Sequence, residues 1–142
     1  MANGLTLAEA RQLIDSALRY AEEQGLAMAV AVVDAGGHPI AMAKLDTASI
    51  IAAESVLQKA RAAAWFNRPT ASAVDTGAQW PHVYLSFTIA AQGAITLSKG
   101  GFPIVRDGQT LGAIGSAGGT GAQDEQVSRA ALRAHGFETW EG

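Results

Sequence analysis

The stretch Gly115–Glu125, GSAGGTGAQDE, lies between the apolar run TLGAIG and the helical pattern QVSRAALRAHG. A glycine-rich turn from strand to helix is where doubly wound α/β domains hold phosphate, so its reading decides the fold. The dinucleotide fingerprint G-x-G-x-x-G breaks off: after Gly119 and Gly121 the third glycine position holds Asp124. The alternative phosphate loop, G-x-x-x-x-G-K-[ST], requires a lysine that does not follow. Charge points the same way. Asp124 and Glu125 stand in the first turn of the helix, where a bound anion would use the positive dipole end, and two carboxylates repel it. The loop is not a phosphate cradle. It is either a tight turn whose acids satisfy the helix dipole, or a turn that leaves room for a ligand and aims a carboxylate at it.

Working outward, FPIVRDGQTLGAIGSAGG reads as a β-hairpin turning at Asp107-Gly108. Upstream, MAVAVVDAGGHPIAMAKLD places two β-branched-rich runs around Gly36-Gly37, a second hairpin with its turn at AGGH. Pro39 has no amide proton and belongs at a strand start. Three helices frame these hairpins. The first opens with a Thr6/Glu9 capping box, carries Leu13, Ile14, Ala17, Leu18 and Ala21 as a core stripe, and ends at Gly25. The second runs from Ile50 to Phe66 and stops before Arg68-Pro69. The last starts after Thr120, with Gln123 completing a capping box, and ends at Gly136. TASAVDTGAQ reads as a short helix or turn capped by Thr70. Leu85–Gln92 fits helix or strand and is entered as a strand.

The order is therefore helix, hairpin, helix, short helix, strand, hairpin, helix, without a βαβ repeat. This predicts a single α+β domain over residues 1–142: a mainly antiparallel sheet with helices packed on it.

Composition narrows function by exclusion. A net charge of −3 with 16% charged residues offers no basic field for nucleic acid or an anionic membrane surface. No run is long and apolar enough to span a bilayer, and the N-terminus lacks the layout of a secretory signal, so a cytoplasmic protein is expected. The absence of cysteine removes disulfides, thiolate nucleophiles and cysteine-based zinc sites. The 16 glycines beside abundant alanine predict thin, tight packing and subunit contacts.

The segments VAVVDAGGHPIA, QKARAAAWFNRPT and KGGFPIVRDGQTLGAIGSAGGTGAQDEQVSRAAL together resemble the GlcG/HbpS-like haem-degrading family. That family includes a haem-binding extracellular sensor partner and the C-terminal domain of PduO-type corrinoid adenosyltransferases. The resemblance implies a profilin-like sandwich, a homo-oligomer, haem or a corrinoid as ligand, and a place beside catabolic enzymes. Two positions depart from the family's usual sequence. Ala62 stands where a threonine is common, and Lys99 precedes Gly100-Gly101-Phe102-Pro103 where a third glycine is common.

On a helical wheel Glu54, Ser55, Gln58, Lys59 and Arg61 share an arc with Ile51, Trp65 and Phe66, the mixed face of a partner surface or pocket wall. Lys59 matches the family's lysine in that helix, and desolvated beside Trp65 it would pair an anion or lose its proton. The expected site is a hollow between subunits. Lys59, Trp65, Phe66 and the loop of Lys99, Gly100, Gly101, Phe102 and Pro103 wall it; Gly118, Gly119, Asp124 and Glu125 line its floor. Of the histidines, His38 falls at a hairpin tip, His135 at a helix C-terminus, and His82 is the expected axial haem ligand or general base. No histidine or carboxylate spacing suggests a dedicated metal site. A second class of function is a cofactor-free lyase or isomerase, in which Lys59 with Asp124 and Glu125 run acid–base chemistry on a small anionic compound. A third is a structural partner of a neighbouring enzyme.

Overall fold

Thr6 accepts the Glu9 amide at 3.1 Å while the Glu9 carboxylate accepts the Thr6 amide, closing the expected capping box at the start of α1 (Leu7–Glu23). Such local signals recur along the chain. The computed structural model describes residues 4–141; residues 1–3 and 142 of the expected domain lie outside the described residues. The first hairpin is β1 (Ala29–Asp34) and β2 (Pro39–Lys44). Ser49 caps α2 (Ile50–Phe66), which ends at Asn67 in the left-handed conformation, φ 53°. Two short helices follow, α3 (Thr70–Gln79) and α4 (Pro81–Ala90). The second hairpin is β3 (Gly101–Arg106) and β4 (Gln109–Ala117), turning at Asp107-Gly108. The second capping box, Thr120 with Gln123, opens α5 (Gly121–Ala134).

The strands form one antiparallel sheet in the order β2-β1-β4-β3, so the two hairpins join through β1 and β4. Pro39 starts edge strand β2, opposite a bulge at Val33, where its missing amide breaks no inner ladder. Side chains alternate across the sheet. Met28, Val30, Val32, Phe102, Ile104 and Ile114 meet α1 and α5 on one face, while Ala29, Ala31, Val33, Ala113 and Ala117 meet α2 on the other. The second face accounts for the glycine and alanine bias. A Cβ at Gly115 would stand 2.7 Å from the Ala60 amide nitrogen and 3.0 Å from the Val56 carbonyl, so α2 lies directly on the β4 backbone. This is the thin packing expected, here inside one chain. The domain is an α+β sandwich.

Two local expectations are corrected. Residues Pro81–Ala90 are helix, not strand. An apolar run without a period cannot separate the two states, whereas Pro81 at the first helical position favours helix. Thr70 is not a cap. Pro69 holds that position, and the buried Thr70 hydroxyl instead accepts the Gly101 amide at 3.0 Å, fastening α3 to the start of β3.

Candidate functional site

Lys59 lies on the inward side of α2, 3% exposed, and its ammonium passes the end of the sheet to reach α5. It donates to the Ser116 carbonyl at 2.7 Å and to Asp124 Oδ2 at 2.9 Å. The other Asp124 oxygen accepts the Gly119 amide at 2.8 Å. Burial pushes the Asp124 carboxyl above its ordinary value; Lys59 and the Gly119 amide pull it back only in part. Beside the pair, Ser128 donates to the Gly100 carbonyl at 2.8 Å, so Ser116 must donate its hydroxyl to Ser128 at 2.7 Å. Among the described residues no buried side-chain nitrogen or oxygen lacks a partner. Of the two outcomes open to a desolvated Lys59, the structure shows pairing with an anion, and that anion is the protein's own Asp124. The Asp124 carboxylate ties α5 to α2 around the end of the sheet.

Trp65 stands elsewhere. At 3.6 residues per turn, the six positions from Lys59 set it about 120° round the helix, and it is half-exposed. Its ring, with Phe66, Phe87, Ala90, Ala91 and Ile95, lines an apolar cleft of about 350 Å³. The ring centroid of Phe66 lies 5.8 Å from that of Tyr84 and 5.9 Å from that of Phe87. The cleft thus sits on a stacked aromatic cluster that fixes α4 against the end of α2.

The remaining expected site residues distribute between these places. Lys99 is exposed, its methylenes lying along Gly121. Gly100 and Gly101 are buried at the Lys59 cluster. Phe102 and Pro103 belong to strand β3 and not to a loop. The Phe102 ring lies in the core under the Arg129 guanidinium, and the Pro103 carbonyl accepts the Trp140 indole. Gly118 and Gly119 are exposed, and Glu125 is half-buried one position beyond Asp124. Ala62 is fully buried. His82 is exposed in the first turn of α4, and among the described residues no hydrogen bond holds its ring. Lys59 and Lys99 do not line the aromatic cleft.

Sequence reasoning placed the turn Ala35–His38 but did not count it in the site; it abuts the Trp65 side of the cleft. The Trp65 indole donates to the Gly36 carbonyl at 2.9 Å, and Arg61 donates to the Gly37 and Ala94 carbonyls at 3.1 and 2.9 Å. Gly37 has φ +88°, and a Cβ there would fall 2.5 Å from the Trp65 indole nitrogen. Only glycine fits. Asp34 Oδ1 accepts the amides of Gly36 and His38 at 3.0 and 2.9 Å, and its carboxylate meets His38 Nδ1 at 3.2 Å. Burial alone would raise the Asp34 carboxyl, but the His38 amide and ring and the Gly36 amide together bring it below its ordinary value. The legible signals were the i,i+4 spacing of Arg61 and Trp65 and the spacing of Asp34 and His38 across a tight turn.

These features define a class: an α+β sandwich with a buried polar tie at one end of its sheet and an aromatic cleft beside a hairpin turn. The chain belongs to the HbpS-like family of haem degrading proteins, whose model matches residues 5–133. It is 34% identical to Protein GlcG of Escherichia coli K12 over 106 residues, 75% of each chain. It is 28% identical over 141 residues to the corrinoid adenosyltransferase PduO of Citrobacter freundii, spanning 97% of this chain but 41% of that protein. The crystal structure of a PduOC–heme complex superposes with a TM-score of 0.87 at 25% identity, covering 97% of this chain and 99% of the other. No helix among the described residues is long and apolar enough to cross a membrane.

Proposed function

We propose that this protein binds a tetrapyrrole, the planar haem first and a corrinoid as the related, non-planar macrocycle, in the aromatic cleft at the end of α2, with a second copy of the chain completing the site. The observation that carries this reading is the cleft itself, whose wall of Trp65, Phe66 and Phe87 suits the face of an aromatic macrocycle. Arg61, one turn before Trp65, brings a cation near that wall for carboxylate substituents. Side chains able to ligate haem iron are present: the chain has no cysteine, and the imidazole-bearing His38 and His82 are both exposed. The relatives support the same ligand class, since the structure of PduOC holds heme and PduO is a corrinoid adenosyltransferase.

At about 350 Å³ the cleft is at the small end of ligand pockets, roughly 300–1,000 Å³, so one chain would leave much of a macrocycle uncovered. The cover is argued from α4. No residue of that helix is buried, yet Leu85 is 60% and Ile89 67% exposed, beside an exposed Trp80 and Phe87. A helix apolar on all sides belongs in an interior. An acid–base role for Lys59 with Asp124 draws no support from their burial against each other, because a catalytic group must be reached by substrate. The test is titration of the apo protein with hemin and with aquocobalamin, followed by absorption. A shifted Soret band that saturates with hemin supports the reading, and its absence at a hemin excess overturns the haem assignment.

A further inference from the structure

We propose that α4 is a hinged wall of the aromatic cleft, swinging as one body about Trp80-Pro81 and Gln92-Gly93 to admit a ligand. The inference rests on the reading that the cleft is the binding site and adds the way into it.

What holds α4 differs from what holds the chain on either side. Before it, α3 is fastened to β3 where the Thr70 hydroxyl accepts the Gly101 amide at 3.0 Å. After it, Arg61 donates to the Ala94 carbonyl at 2.9 Å and the Thr96 amide donates to the Gln58 carbonyl at 3.3 Å. From Trp80 to Gly93, every hydrogen bond among the described residues is local. The Tyr84 amide donates to the Trp80 carbonyl, the Ser86 hydroxyl to the His82 carbonyl and the Thr88 hydroxyl to the Leu85 carbonyl. No ion pair adds to these, because the chain carries no Asp, Glu, Lys or Arg between Asp75 and Lys99.

Packing is equally sparse. No residue of α4 is buried. Its grip on α2 is made by rings: Phe66 meets Tyr84 and Phe87, whose own centroids lie 5.3 Å apart. Hollows flank the helix on different sides. One is the aromatic cleft along Phe87, Ala90 and Ala91; the other is an apolar groove of about 300 Å³ between Pro81, Tyr84 and Leu85 and the Ala73 and Gly77 side of α3. Few buried contacts and only local hydrogen bonds mark a unit that opens at low cost, with the three rings as its latch.

The hinges lie where the helices end. Trp80 leaves helical geometry at φ −129°, ψ 60°, and Gln92 and Gly93 take φ 54° and 78°. Element ends of this kind absorb a change of dihedral angle while the helix itself stays whole. The opposite wall is fixed, since the Trp65 indole is tied to the Gly36 carbonyl. Release of the latch therefore widens the cleft on the Phe87 side. A second copy seated on the exposed Leu85 and Ile89 holds the same wall shut.

Hydrogen exchange is followed by mass spectrometry on the apo protein over a range of concentrations. A ten-residue helix without its packing frays, so swinging exposes its amides together. Residues 83–92 are expected to exchange as a group, about tenfold or more faster than α5 and fastest at low concentration. Phe66→Leu, which weakens the latch, speeds them further and leaves α5 unchanged. Protection of α4 equal to that of α5 at every concentration overturns the hinge. A second arm locks the elbow. A Cβ at Gly77 stands 3.4 Å from the Tyr84 Cβ, close to the separation in a disulfide of about 3.5–4.5 Å, and the chain has no cysteine to compete. Oxidised Gly77→Cys/Tyr84→Cys is compared with Gly77→Ser/Tyr84→Ser, which loses the same ring and cannot bridge. The lock is expected to slow α4 exchange and to lower the rate of the Soret change on mixing with hemin about tenfold or more. Equal rates in the two variants overturn gating by α4. No Soret change in the wild type, with residues 83–92 still exchanging as a group, overturns the haem reading and leaves the hinge standing.

Discussion

Replacing Lys59 with methionine removes the ammonium and keeps most of the side-chain volume. The carboxylate of Asp124 then stays buried with the Gly119 amide on one oxygen and no partner on the other, while the Ser116 carbonyl loses its side-chain donor. Breaking a buried ion pair by deleting one partner costs about 3–5 kcal/mol, because the remaining charge is stranded. For a chain of this size each kcal/mol moves the melting temperature by about 3–4 °C, so the expected fall is roughly 10–20 °C. The pH dependence carries the sign of the argument. Burial raises the Asp124 carboxyl and Lys59 opposes that rise; without Lys59 the folded-state value climbs further above the unfolded one. A raised acid contributes stability that is present below its unfolded value and lost as pH rises through its folded value. The deficit of Lys59→Met against the wild type is therefore largest near neutrality and shrinks as pH falls and Asp124 takes up a proton. The paired variant Lys59→Met/Asp124→Leu, which leaves no stranded charge, recovers most of the loss. Thermal unfolding by circular dichroism across pH measures all three. A fall below about 3 °C, about 1 kcal/mol for this size, or a deficit that widens on acidification, refutes the buried-tie argument.

Gly115→Ala places a methyl 2.7 Å from the α2 backbone and is expected to cost about 1–3 kcal/mol or more in urea unfolding, since backbone cannot step aside as a side chain can. Thr70→Val leaves the Gly101 amide buried without an acceptor, a loss of about 1–3 kcal/mol accompanied by faster hydrogen exchange at Gly101. The double variant Leu85→Lys/Ile89→Lys alters only exposed positions, so far-ultraviolet circular dichroism should hold while light scattering reports a smaller particle. An unchanged mass would remove α4 from the subunit contact.

Much of the architecture was legible because its signals are local. The capping residues Thr6 and Thr120, the turn residues Asp107-Gly108 and the Gly36-Gly37 pair each act over four or five positions, and each falls where the sequence places it. So does the whole of α2, bounded by Ser49 and Asn67. Where the local signal was degenerate the reading slipped: the apolar run after Pro81 lacks a period, and Thr70 looked like a cap because its real partner, Gly101, is 31 positions away.

The sequence alone determined the antiparallel α+β class, the failure of the phosphate loop and the family, since strand period, turn chemistry and charge at a helix end are properties of neighbouring residues. Only the tertiary structure decided that Lys59 faces Asp124 rather than a ligand, that Trp65 belongs to a different surface, and that Asp34, His38 and Arg61 gather around one turn. Those groupings depend on which side of α2 meets the sheet. That choice was made by Gly115 and the alanine layer, whose small volumes let helix and strand backbones touch, and no periodicity along the chain encodes it.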